Sequence, residues 1–201
     1  VGRYGNRIAR GQFTLQGREY RVDCNEGGNH LHGGQHGWDS RVWEADAGEA
    51  SVALGSRRII NKKSFPGGCE VTSTYTLLGR SLRITMEAIP SETTVINMVH
   101  HSYFNLAGHA SGNVLRQRMR LSSDYYTPVD EALLATGEVL VVDGTPYDFR
   151  ELRPIGASAG NGLTINSYIA SGVSVEYDHN LCLRGGGADL SEAAEVFDPV
   201  S

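Results

Sequence analysis

Cysteine is scarce in this chain: Cys24, Cys69 and Cys182 are its only thiols. They are odd in number, far apart and without a CxxC pair, which argues against a disulfide framework and a thiolate zinc site and fits a reducing, cytoplasmic setting. Positive charge is also thin. Eighteen Lys and Arg stand against 23 Asp and Glu, for a net charge of −5, and no basic run breaks the balance. A nucleic-acid surface or a polybasic membrane patch therefore has no footing, and the expected partner is a small molecule. No apolar run approaches the roughly 18 residues of a membrane-spanning helix, and no charged-then-apolar leader opens the chain. The chain starts at Val1 rather than at Met, so a leader or a longer N-terminal segment can precede it unread. Helical patterns are rare as well. Only "DEALLA", Asp130 to Ala135, predicts a short helical turn, with Asp130 placed to cap it. There is no repeat of solenoid or propeller period, no low-complexity tract and no linker long enough to divide two domains.

What is present is alternation and glycine. In "GQFTLQGREYRV", Phe13 and Leu15 alternate with polar residues, Gln16-Gly17 supplies a turn, and Tyr20 and Val22 resume the pattern, which predicts a β-hairpin. Period-2 stretches return at "SLRITMEAI", with Leu82, Ile84, Met86 and Ala88 on one face, and at "VSVEYDHNLCL". Between these runs the 25 glycines cluster in "EGGNH", "HGGQHG", "FPGGC" and "RGGGA", the punctuation of tight β connections. With 201 residues, 40% of them hydrophobic, the chain can bury one sizeable core. An all-β sandwich or barrel follows, read as one domain over 1–201. "AAEVFDPVS" predicts a short strand and an Asp198-Pro199 turn with no return strand after it, an open edge that makes the sheet look incomplete.

Five of the seven histidines fall in two clusters, His30, His32 and His36 in "NHLHGGQHGWD" and His100 and His101 in "HHSYFNLAG". An imidazole that is neutral near pH 7 serves as acid, base or metal ligand, so three readings compete. A metal site is one, because HxH puts two imidazoles on one side of a strand, but the glutamate that should follow in a cupin-like set is missing. A structural role is the second, and it suits His30, His36, His100 and His109 taken singly. The third is acid/base work on a sugar. A hexose offers hydroxyls and an apolar face, and "GNRIA", "HLHGG", "HHSYFN" and "YDHN" each bring polar or aromatic groups to a strand end or glycine turn.

Taken in order, "GRYGNRIARGQFTLQGREY", "NHLHGGQHGWDSRVWEA", "HHSYFNLAG", "YYTPVDEALLATGE", "GTPYDFR" and "YDHNLCL" closely resemble the aldose 1-epimerases, or galactose mutarotases, over nearly the whole chain. LHGG with HSYFNL and then TPVDE is a specific combination. The resemblance implies a large antiparallel β-sandwich and the interconversion of α and β hexose anomers without cofactor or metal. It further implies that His101 is the general acid that protonates the ring oxygen and that His32 hydrogen-bonds the sugar beside that oxygen. Asn6, Arg7, Ser102, Tyr103 and Asp178 match positions that contact or line the sugar site. Tyr103 and Asn105 are expected to point the same way as His101 from a rigid strand end.

The resemblance also has gaps. The family's base is a glutamate well beyond the YDHN segment, and no residue here matches it; Glu192 and Glu195 lie too early to serve. "NKKSFPGGC" departs from the acidic loop many members carry, although Phe65-Pro66-Gly67 survives. These gaps leave three further readings beside the epimerase: a sugar-binding protein without catalysis, an inactive fragment, or an epimerase of hexose phosphates, for which no added basic cluster is visible. The small partner is expected to be a hexose, bound by a monomer or weak dimer.

Overall fold

The computed structural model describes residues 1–60, 65–157, 177–185, 187 and 189–200, with the backbone alone at 56–60. Residues 173–176 of "VSVEYDHNLCL" and 61–64 of "NKKSFPGGC" lie outside them. Every pair of named strands is antiparallel, as expected of an all-β chain, and among the described residues the helical content is two single 3-10 turns, at Ala9–Gly11 and Trp38–Ser40. Among the described residues, no helix is long and apolar enough to cross a membrane. The fold divides into two compact units, Val1–His101 and Ser102–Ser201.

In the first unit, β1 (Arg7–Ile8) pairs with β4 (His30–Leu31), and β2 (Gln12–Leu15) with β3 (Arg18–Arg21). The second pair is the hairpin read from the sequence. Gln16 and Gly17 both take positive φ, +49° and +76°, as a two-residue hairpin turn requires. A four-stranded meander follows, β5 (Glu44–Ala47), β6 (Ser51–Ile60), β7 (Gly68–Leu78) and β8 (Ser81–Pro90), in that spatial order. β8 is the strand expected at "SLRITMEAI", but it lies at a sheet edge. Ile84 and Ala88 are half-buried, whereas Leu82 and Met86 on the same face are exposed.

Two small cores hold this unit. Trp38, Cys69 and Val71 form one, with Trp43, Ala88, Ile96 and Met98 packed around them. Ile8, Val22 and Phe65 form the other, with Tyr4, Phe13 and Val95. Arg3 is buried beside Phe65, and its guanidinium donates to the Pro66 carbonyl at 2.7 Å and the Gly67 carbonyl at 3.0 Å. Those acceptors compensate a cation that burial would otherwise make costly. They also anchor the surviving Phe-Pro-Gly corner to the N-terminal segment.

In the second unit, β9 (Arg118–Leu121) lies between β12 (Arg153–Pro154) and β14 (Ala194–Phe197). β10 (Ser123–Thr127) lies between β11 (Leu140–Val141) and β13 (Asn180–Leu183). β14 confirms the strand in "AAEVF", and it is an edge of its sheet. The Asp198 side chain then closes the expected turn by accepting from the Val200 N–H at 2.8 Å. "DEALLA" is not helical. The Asp130 carboxylate does cap, accepting from the N–H of Ala132 and of Leu134, both at 2.9 Å, but Leu133 has φ +59° and Val129 bridges to Ala135. A loop closed on itself by that bridge leaves no room for the next turn of helix.

The "HHSYFNLAG" stretch departs from expectation too. It is irregular rather than a strand end: Tyr103 is 91% exposed, whereas Asn105 is half-buried, so the two do not share a side. The cause is Asn105 itself. Its side-chain oxygen accepts from the Ala107 N–H at 3.1 Å and from Gln117 Nε2 at 2.9 Å, and its amide donates to the Gly112 carbonyl at 3.0 Å. A side chain that satisfies loop backbone in this way competes directly with a strand ladder.

Around β10 and β13 lies an aromatic cluster. Tyr126 and Tyr147 meet at a tilt of 37° with centroids 4.5 Å apart, the His179 ring lies 4.4 Å from Tyr147, and Tyr177 meets Phe149 edge-on at 5.4 Å. Burial pushes the His179 pKa below its ordinary value of 6.5, with the neighbouring Asp178 charge opposing the shift. The unfolded chain then binds the proton more readily than the folded one. The contribution of His179 to stability is whole above pH 6.5 and declines as pH falls from there through its lowered folded value, levelling off below. Melting temperature followed from neutral to mildly acid pH should show this decline, and His179→Asn should flatten it; an unchanged slope in the variant contradicts the assignment. A second prediction concerns the first unit. Gly33 has φ +91°, and an added Cβ would lie 1.9 Å from the Gly2 carbonyl oxygen. Gly33→Ala is expected to cost at least about 1–3 kcal/mol in chemical denaturation.

Candidate functional site

The site in the first unit is built by two pairings of the N-terminal segment. Tyr4 forms an isolated parallel bridge with Asn97, closed by the Gly5 N–H donating to the Asn97 carbonyl at 2.8 Å and the Asn97 N–H to the Arg3 carbonyl at 2.9 Å, and Val1 and Val99 exchange two further bonds of 2.9 and 3.1 Å. At the Tyr4–Asn97 bridge the two segments run in the same direction, so the residues that follow each leave on the same side of it. Those continuations are Asn6-Arg7 and His100-His101. The second pairing is β1 with β4, which sets Arg7 opposite Leu31 and brings His32 beside Asn6.

His32 is reached through a backbone reversal. Its own φ is +56°, and Gly33 and Gly34 follow at +91° and +79°. The glycines are required by close approach as well as by φ: a Cβ on Gly34 would lie 2.4 Å from both Asp23 carboxylate oxygens. The reversal sends His30 and His32 to different neighbours. His30 is fully buried, with Nδ1 2.7 Å from the Asp23 carbonyl and its ring edge-on to Phe65 at 5.3 Å. His32 instead meets His101, with ring centroids 5.2 Å apart at 87°. The HxH pair therefore does not present two imidazoles to one point, and His30 has the structural role its neighbours assign it. Among the described residues, no group of three or more His, Cys, Asp or Glu side chains gathers as a metal site.

The Asn6 N–H donates to His32 Nδ1 at 3.0 Å. Nδ1 must then carry a lone pair, so the neutral ring holds its proton on Nε2. The structure thus gives His32 the tautomer of a hydrogen-bond donor at its far nitrogen. Asn6 is itself strained into place, with φ +70°, and its side-chain oxygen accepts from the Arg7 N–H at 2.8 Å. The Arg7 guanidinium is held by Glu26, with Nε donating at 3.0 Å and Nη2 at 2.7 Å. The arginine side chain is 10% exposed and the glutamate 36%. Hydrogen bonding from Arg7 is the chief cause that holds the Glu26 carboxyl below the usual carboxylate range, with partial burial opposing it.

The structure thus links Asn6, Arg7, His32 and His101 through the two pairings, the Asn6–His32 bond and the His32–His101 contact. Ser102, Tyr103 and Asp178 belong to the second unit. Ser102 and Tyr103 begin its exposed loop, and Asp178 is exposed between two anchored neighbours. The Tyr177 hydroxyl donates to the Ile155 carbonyl at 3.2 Å, and His179 Nε2 lies 3.0 Å from the Tyr147 hydroxyl. Both flanks of Asp178 are thereby tied to the aromatic cluster. Glu192 and Glu195 are both engaged by the Arg120 guanidinium, at 2.7 and 2.9 Å. An open cleft of about 630 Å³ in the second unit, lined by Ser111, Asn113, Leu115, Arg116 and Pro154 among others, contains none of the residues named from the sequence. Two site residues escaped the sequence reading. Glu26 lies in "EGGNH", whose glycines signal only a turn, and Tyr147 lies in "GTPYDFR", whose pattern gives it no role.

Known proteins carry the same pattern. A family model described as Aldose 1-epimerase matches residues 1–200. Bovine galactose mutarotase is 38% identical over 185 residues, covering 92% of this chain and 51% of the relative. The aldose 1-epimerase of Haemophilus influenzae is 37% identical over 158 residues, covering 77% of this chain and 46% of the relative. The crystal structure of galactose 1-epimerase from Lactobacillus acidophilus superposes with a TM-score of 0.80 at 30% identity, covering 98% of this chain and 57% of that one. A GalM/aldose epimerase homologue from Caenorhabditis elegans gives a TM-score of 0.82 at 24% identity, covering 99% of this chain and 58% of that one, which speaks to fold alone. The chain spans about half the length of the curated relatives it matches. It has the fold of the galactose mutarotases, and it belongs to the aldose 1-epimerase family.

Proposed function

We propose that the protein interconverts the α and β anomers of a free hexose such as galactose or glucose by acid/base opening and closure of the ring. The observation that carries this reading is the His32–His101 pair at 5.2 Å, with the His32 tautomer set by the Asn6 N–H. Mutarotation needs a proton delivered to the ring oxygen while another group takes the proton of the C1 hydroxyl. His101 delivers the first proton. His32 donates from Nε2 to the same oxygen, holding it against the acid and stabilising the charge that develops on it. The open aldehyde rotates about C1–C2 and recloses on its other face, and His101 recovers its proton.

Arg7, Asn6, Ser102, Tyr103 and Asp178 hold hydroxyls in this reading, Asp178 as a charged acceptor. The base is a carboxylate that the described residues do not supply by position, since Glu26 is committed to Arg7 and Glu192 and Glu195 to Arg120. The names of the relatives, galactose mutarotase and aldose 1-epimerase, agree with this chemistry.

Polarimetry of freshly dissolved α-D-galactose, with the protein as its gene encodes it against buffer alone, tests the proposal. The protein should speed the approach to the equilibrium rotation, and His101→Ala should cut turnover by about 10²–10⁴-fold, the usual worth of general acid/base catalysis. Wild-type turnover in that variant removes His101 from the role. A galactose-dependent rise in melting temperature with no acceleration would instead identify a sugar-binding protein without catalysis.

A further inference from the structure

Glu26 stands at the start of a tight, hydrogen-bonded turn over residues 26–29, where the Asn29 N–H donates to the Glu26 carbonyl at 2.7 Å and the Glu26 N–H returns to the Asn29 carbonyl at 3.1 Å. Gly27 and Gly28 take φ of +52° and +88°, the double positive φ that a turn of this kind demands. Asn29 is buried, and its side chain accepts from the Arg10 N–H at 2.9 Å, so the turn is pinned from both ends. A carboxylate on such a base has little freedom to follow a moving partner. It fixes the partner instead.

That partner is Arg7, gripped along its Nε–Nη2 edge. The two-point grip sets the plane of the guanidinium, which a single contact would leave free to turn. It also matters for charge. Arg7 is 10% exposed, and an uncompensated cation at that depth would attract any anion that fits. With Glu26 ionised beside it, the pair is close to neutral. A sugar hydroxyl meets an oriented donor at little cost, whereas a sugar carboxylate or phosphate meets the Glu26 charge as well.

We infer that Glu26 is a positioning residue that orients Arg7 for sugar hydroxyls and, by cancelling its charge, biases the site toward uncharged sugars over sugar acids. The inference rests on Arg7 being a sugar contact in the proposed function. It adds a specificity-setting role for a residue that touches no substrate.

The test combines titration calorimetry of D-galactose and D-galacturonate with polarimetric kcat and KM on galactose. It compares wild type, Glu26→Gln, Glu26→Asp, Arg7→Gln and the double variant Arg7→Gln/Glu26→Gln. Glu26→Gln is expected to raise the galactose KM about tenfold, the order carried by one hydrogen bond to a charged group, with a much smaller change in kcat. The same variant should tighten galacturonate binding. Glu26→Asp keeps the charge but is too short to hold both nitrogens, so it should weaken galactose binding while still rejecting galacturonate. That variant also serves if the glutamine form does not fold. In the Arg7→Gln background, Glu26→Gln should have no further effect on galactose affinity, because the interaction it acts through is already gone.

Equal loss of both sugars in Glu26→Gln, or an additive loss in the double variant, would show a structural role only and overturn the inference. So would wild type and Glu26→Gln that bind neither sugar. If wild type binds galactose but does not speed its mutarotation, the proposed function fails, and the calorimetric comparison still decides the role of Glu26.

Discussion

One backbone donor, the Asn6 N–H, determines what the His32 ring can do. Its bond to Nδ1 turns an imidazole that could present either nitrogen into a donor at Nε2. Much of the first unit serves to place the two ends of that bond. Asn6 must lie just past the Tyr4–Asn97 bridge, and His32 must lie where the chain reverses after β4. The reversal in turn needs glycine at 33, because the Gly2 carbonyl occupies the space a side chain would take. Gly2 belongs to the same N-terminal segment. The donor, the acceptor and the obstruction that shapes the turn therefore all hang from one strip of five residues.

Charge in this unit is organised along the same N-terminal segment and β1. Arg3 and Arg7 are both largely buried, yet they are satisfied differently. Arg3 is met by the neutral carbonyls of Pro66 and Gly67, and Arg7 by an ionised carboxylate. Carbonyls suit a guanidinium that only holds a corner together, since its charge can be left standing under Phe65. A guanidinium facing a polar ligand is a different matter. In the proposed site the local field bears on which ligands are favoured, and a carboxylate partner cancels most of the positive field. The depression of the Glu26 pKa keeps this arrangement intact across the range in which carboxylates elsewhere begin to take protons.

Features governed by nearest neighbours could be read from the sequence with little loss. The Gln16-Gly17 hairpin, the strand at "SLRITMEAI" and the strand before Asp198-Pro199 all appear where alternation and turn residues put them. The misreadings share a cause, which is a polar side chain taking over backbone bonds. Asp130 caps a turn that never becomes a helix, and Asn105 ties down a loop that never becomes a strand. Motif order announced Asn6, Arg7, His32 and His101 as residues of one site, but not how they meet. Their meeting depends on Tyr4 pairing with Asn97, a contact no local pattern encodes. Glu26 was hidden for the opposite reason: its turn was so clear a local signal that its side chain drew no separate question.

The family relation and the geometry constrain each other more tightly than either does alone. The metal reading treats the two histidines of "HLH" as one unit, whereas the structure separates them, sending His30 into the core against Phe65 and His32 to His101. A metal reading of HxH needs both rings to reach one point, and the positive φ at His32 prevents that. An acid/base reading needs one histidine set by its neighbours and another beside it, and the same reversal provides them. The backbone conformation at one residue thus separates the two rings that a metal reading of HxH would need together, and it does so by turning a ring rather than by changing it.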